Sequence, residues 1–244
     1  MVREYLKKAV KQAKANKKVF GFLAAVVFVA ELLSLSSSHP VMGTNPFIVF
    51  VGWLTGPFSY YWLMQYVLVS TKKSKITIKD VFVFDGKKLL RLLGMYIIAL
   101  LVFMVVLIPT VIVSLALSKA WLVMGIIIST ILIVVMSVFA AYAILRYQFA
   151  PYALLDQKSL TIRKAFAYSW LITKNKLKKI IWFEIKYAVV SFLLIIPVFL
   201  PMALYLAGRT LLANVLVSGL YSVFYIVLSQ AFCYFYRSLE KKKK

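Results

Sequence analysis

The chain has 244 residues, 63% of them hydrophobic and 15% charged, with a mean hydropathy of +0.90. A soluble globular domain carries roughly 45–50% apolar and about 25% charged residues, so this composition excludes one, and it excludes intrinsic disorder for the same reason. Lys and Arg number 30 against 7 Asp and Glu, a net +23, which beside such apolar runs points to the anionic cytoplasmic face of a membrane rather than to nucleic acid.

Residues 1–18 carry Arg3, Lys7, Lys11, Lys14 and Lys18 at helical spacing, with Val2, Leu6, Val10 and Ala13 on another face. This pattern predicts a basic amphipathic helix lying along lipid headgroups. Six apolar stretches follow: Val19–Leu35, Phe47–Ser70, Leu92–Leu117, Trp121–Leu145, Ile180–Ala207 and Thr210–Tyr236. Each approaches or exceeds the length of about 20 residues that a bilayer-crossing helix needs. The first also exceeds the roughly 7–15-residue apolar core of a signal peptide, so it reads as a retained span. The runs lack the alternation of a membrane barrel. The expectation is an all-α polytopic bundle of six transmembrane helices over residues 19–237, closed by a basic tail at 238–244.

Direction follows from the basic residues. Seven precede the first span, seven lie between Lys72 and Arg91, nine between Arg146 and Lys186, and five from Arg237 onward. Only Lys119 and Arg209 fall in the opposite connections. Both termini are therefore expected in the cytoplasm, with the chain a multi-pass protein of the plasma membrane.

The two large inner connections are alike. KITIKDVFVF (75–84) aligns without a gap on SLTIRKAFAY (159–168), pairing Thr77 with Thr161, Ile78 with Ile162 and Phe82 with Phe166. Similar apolar helices follow, reaching Pro109 and Pro197. Two readings stay open: a parallel internal repeat about the membrane normal, or chance similarity between two basic loops. In the second copy Ser159 is the expected helix N-cap, with Ile162, Phe166, Ser169 and Thr173 sharing one face.

Within RYQFAPYALLDQKSLTIRKAFAYSWLITKNKLKKIIWFEI (146–185), Arg146, Phe149, Ala150, Asp156, Ala165, Ser169, Asn175 and Lys176 form a pattern. It resembles the uncharacterised bacterial family of six-helix membrane proteins related to the membrane domain of glycerophosphoryl diester phosphodiesterases. Phe235-Tyr236-Arg237 is similar to that family's ending. The resemblance implies a fold and a bacterial source, and no established activity.

Ionisable residues inside spans are functional hypotheses by default. Glu31 either reaches water at an outer boundary or serves a proton or cation. Glu184 and Lys186, near Lys178 and Lys179, read as an interfacial ion-pair cluster, and Arg146 and Asp156 as a clamp across a turn. Gly52 and Gly56 have the spacing that lets helices approach closely, although Pro57 suggests a kink; Pro197 and Pro201 suggest the same. Asn214 and Gln230 are expected to bond neighbouring helices.

Enzyme chemistry finds no motif: HExxH, GxSxG, P-loop and dinucleotide fingerprints are missing. With one cysteine, Cys233, and one histidine, His39, no metal or cofactor is expected. The leading expectation is a non-enzymatic protein that binds or transports an amphipathic ligand, either an anionic lipid or a membrane-active peptide. Arg146, Lys164, Lys176, Lys178 and Lys179 would contact phosphates, and the proline-bearing helices would move. One alternative is an accessory or bacteriocin-immunity-type protein acting through a peptide or exporter partner. The other is a structural lipid organiser.

Overall fold

The computed structural model describes residues 1–37, 46–120, 122–157, 160–205 and 210–240, and among them the regular structure is entirely helical. The elements are α1 (Val2–Ala15), α2 (Lys17–Ser37), α3 (Pro46–Ser70), α4 (Ile78–Val81), α5 (Gly86–Ala120), α6 (Leu122–Tyr147), α7 (Ala150–Asp156), α8 (Ile162–Thr173), α9 (Leu177–Tyr205) and α10 (Thr210–Glu240). Wherever they are described, the six apolar stretches are helical. Two helical stretches among the described residues, Thr130–Asp156 and Val215–Glu240, are long and apolar enough to cross a membrane, with mean hydropathies of 2.0 and 1.7. Ile131, Ile133, Val134, Val138 and Phe139 of the first point outward, uncovered by protein.

The chain divides into two compact units, 1–89 with 181–244, and 90–180. In the first, α2, α3 and α10 pack on one another and α1 lies against α10. Gln230 Nε2 donates to Ser70 Oγ at 2.9 Å, both buried, so the expected interhelical bond of Gln230 joins α10 to α3. Asn214 falls outside the described side chains. Phe183 and Phe235 stack face to face, centroids 3.8 Å apart, and Tyr5 of α1 tilts against both.

The docked face of α1 departs from the sequence expectation. Val2 and Ala9 are buried, whereas Val10 is exposed. Asn16, at the α1–α2 junction, is also buried. Its Nδ2 donates to Ser74 O (3.0 Å) and to Gln12 O (3.1 Å), and its Oδ1 accepts from Ile76 N–H at 2.8 Å. Gln12 Nε2 adds bonds to Lys73 O (2.7 Å) and Ser74 O (3.2 Å). The helix is thus fastened along Val2, Tyr5, Ala9, Gln12 and Asn16, a 3–4 spacing that mixes apolar and amide side chains. Arg3, Lys7, Lys11, Lys14 and Lys18 remain on the exposed side.

In the second unit, α8 packs on α6 and α7. Most of α7 is buried, through Ala150 and Tyr152 to Leu155. Gly94 of α5 approaches α8 closely, since a Cβ there would lie 3.2 Å from Ile162 Cδ1.

The aligned threonines of the two basic connections do the same job. Thr77 is the N-cap of α4 and shares a capping box with Asp80, and Thr161 is the N-cap of α8, its side chain accepting from Lys164 N–H. The cap is therefore Thr161; Ser159 lies outside the described residues. Val81 and Ala165, four residues after each cap, are both fully buried. Phe82 packs on Phe22 and Trp62, and Phe166 packs edge-on against Tyr147. Beyond this the two connections differ: α4 ends after 4 residues and α8 runs for 12.

Candidate functional site

Arg146 closes α6 and is only 8% exposed. Its Nε and Nη2 both donate to Tyr142 Oη, at 3.2 and 3.1 Å. Helical periodicity makes that contact natural, because Tyr142 sits one turn earlier on the same face. The guanidinium carbon lies 4.5 Å from the centroid of Trp170 on α8 and 5.1 Å from that of Tyr142. A further tie runs through the backbone: buried Ser169 Oγ donates to Arg146 O at 2.7 Å. The charged group is thus held between two aromatic faces by the α6–α8 contact.

Nη1 is buried and has no hydrogen-bond partner among the described residues, and the same is true of Gln148 Nε2 two residues on. The described contacts of Arg146 run to Tyr142, Trp170 and Ser169. Asp156 is half-buried at the end of α7 and has partners of its own. A guanidinium out of water costs several kcal/mol unless paired. Each aromatic face returns about 0.5–2 kcal/mol. The free N–H bonds of Nη1 call for an acceptor, and a guanidinium fork suits a phosphate or carboxylate.

The lysines grouped with Arg146 are distributed differently. Lys164 is exposed on α8, about 140° around the helix from Ser169 at 100° per residue. It therefore starts from a different flank. The α8–α9 turn carries the others. Lys174 (φ −55°, ψ 130°) and Asn175 (φ 66°), closed by Lys176 N–H to Thr173 O at 3.0 Å, have the geometry of a type II turn. Asn tolerates the left-handed position that such a turn demands. Lys176 and Lys179 are half-buried with partners of their own, and Lys178 is exposed.

In the other unit, Lys186 lies over the ring of Trp182 at 5.9 Å, and half-buried Glu184 has its own partners. Gly56 makes no close helix contact, since a Cβ there would meet nothing within 4 Å. Pro57 sits inside α3. The backbone is helical at Gly52, Pro109, Pro197 and Pro201, and their surroundings fall outside the described residues. Glu31 lines a cavity of about 150 Å³ with Gly56, Ser59, Tyr60 and Tyr225. Among the described residues no group of three His, Cys, Asp or Glu stands together to hold a metal.

No family model, curated protein or solved structure matches the chain.

Sequence reasoning picked out Arg146 and missed its cage. Tyr142 was visible as the residue four before it. Trp170 carries no local signal, because its role arises only when α8 folds against α6.

Proposed function

We propose that the protein is a six-span membrane protein with both termini in the cytoplasm, and that it binds an anionic amphipathic ligand without catalysing a reaction. The observation that carries this reading is the buried guanidinium of Arg146, caged by Tyr142 and Trp170 with Nη1 unpartnered. Tyr142, Tyr147 and Trp170 are each about two-fifths exposed around it, as aromatic side chains are at a membrane–water boundary. A phosphate or carboxylate head meeting Nη1 there would leave its apolar chain against the outward-facing side chains of α6. The nine basic residues between Arg146 and Lys186 support an inner-leaflet position.

Kinship with the membrane domains of glycerophosphoryl diester phosphodiesterases belongs to the same proposal. It is supported by the roles of the pattern residues: Ser169 bonds Arg146, Ala165 is fully buried, and Asn175 makes the turn into α9.

Native mass spectrometry of the protein released from mild detergent tests the reading, with Arg146→Ala beside the wild type. A discrete lipid-mass adduct on the wild type, lost in a monodisperse Arg146→Ala, is expected. Equal adducts on both, or a clean apo mass on the wild type, would sink it and turn attention to protein partners.

A further inference from the structure

The cavity between α2, α3 and α10 belongs to the unit that lacks Arg146, and its chemistry has the opposite sign. Glu31 supplies a carboxylate, and no Lys or Arg among the described residues pairs with it. Ser59, Tyr60 and Tyr225 surround it with hydroxyl-bearing side chains, two of them aromatic. The ring of Tyr225 is held by stacking on Tyr221, centroids 5.3 Å apart and 13° from parallel. Ser59 Oγ donates back to Gly56 O at 2.9 Å, so its oxygen keeps accepting capacity for a guest. Gly56 contributes room rather than contact.

We infer that this cavity is a binding site for a primary ammonium group, with Glu31 as its counter-charge. Three features select that chemistry. An ammonium has three donors, which one carboxylate and neighbouring hydroxyl oxygens can accept, and its charge is attracted to tyrosine faces. The volume, about 150 Å³, is worth roughly five waters at about 30 Å³ each, enough for the head and first carbons of an alkylamine. A bare divalent ion, by contrast, wants six or more oxygen ligands, usually from several carboxylates, and a lone proton needs no cavity. The inference does not rest on the anion site.

Calorimetric titration of n-butylammonium into the full-length protein in a non-ionic detergent tests it, with n-butanol as the uncharged control. Saturable 1:1 binding of the amine is expected, with at least a tenfold loss of affinity in Glu31→Gln and negligible binding of butanol. Gly56→Val should weaken binding as well. Its Cβ enters open space, so this variant keeps a folded test available if Glu31→Gln does not fold. Adding an ethanolamine phospholipid to the micelles distinguishes sources: competition assigns the site to a lipid headgroup, and unchanged amine affinity assigns it to an aqueous amine. The inference is overturned if the wild type shows no saturable binding, if neither variant weakens it, or if butanol binds as tightly as the amine.

Discussion

Replacing Asn16 by Ala should loosen the N-terminal helix from the rest of its unit. Asn16 is 6% exposed and Ile76, whose N–H it accepts at 2.8 Å, is 7% exposed. Truncation strands that buried donor, at about 1–3 kcal/mol, and removes the Nδ2 bond to Ser74 O, worth about 0.5–1.5 kcal/mol. The second loss falls at the low end, because Ser74 O keeps its bond from Gln12 at 3.2 Å. A total of about 2–3 kcal/mol raises local opening roughly 30- to 150-fold. Hydrogen–deuterium exchange on peptides covering residues 12–20 and 72–80 reads this directly, as the two segments open together. Asn16→Asp keeps the acceptor for Ile76 but sets a buried carboxylate oxygen against the Ser74 and Gln12 carbonyls, so it should not restore wild-type protection at neutral pH. Exchange at Ile76 within threefold of wild type in Asn16→Ala would refute the reasoning.

Two further outcomes follow from the geometry. Gly94→Ala places a methyl 3.2 Å from Ile162 Cδ1, so it should be less stabilising than Gly21→Ala, where the space is open, by about 0.5–1 kcal/mol. Ile162→Val should remove the difference in a double-mutant cycle read by detergent-phase unfolding. Asp80 is held well below the usual carboxylate range by its hydrogen bond from Lys73 (2.7 Å), then by those from the Thr77 N–H and hydroxyl. Because its folded pKa is depressed, its stabilisation is present above the unfolded value near 3.8 and is lost as pH falls through the folded one. Protection of the residue 74–82 segment should therefore drop below about pH 4, and Asp80→Asn should abolish that dependence while leaving the amide less protected at neutral pH.

The helices themselves were legible because apolar runs of this length, without the alternation of a strand, read as helix. Faces were harder to read. On α1, hydrophobicity alone favours Val2, Leu6, Val10 and Ala13, but the docked face includes Gln12 and Asn16. Their value lies in particular bonds to Ser74 and Ile76, and a residue's apolar character does not register a bond to a segment 58–60 positions away. The N-cap was misread for a related reason. Ser159 and Thr161 are both capping residue types two positions apart, and Thr161 is the one that caps α8. At Gly56 the spacing suggested a close helix contact and the structure has a cavity instead, while the close approach falls at Gly94, which no motif marks. Lys164, grouped with Arg146 by charge, starts from a different flank of α8 for the same reason. Charge content places basic residues near one boundary, and helix rotation decides which of them meet.

The contact of Tyr5 with Phe235 has a consequence for biogenesis. Helix α1, made before the other described helices, has part of its seat on a helix roughly 230 residues later. At about 5–20 residues per second it waits on the order of 10–50 s for that partner. During this interval Tyr5 lacks its α10 partner, so the amide bonds of Gln12 and Asn16 to residues 73–76 become available well before the aromatic ones. Assembly of this unit is therefore completed by two helices far apart in sequence, and a ribosome stalled before Phe235 would hold a chain whose α1 is tethered but not seated.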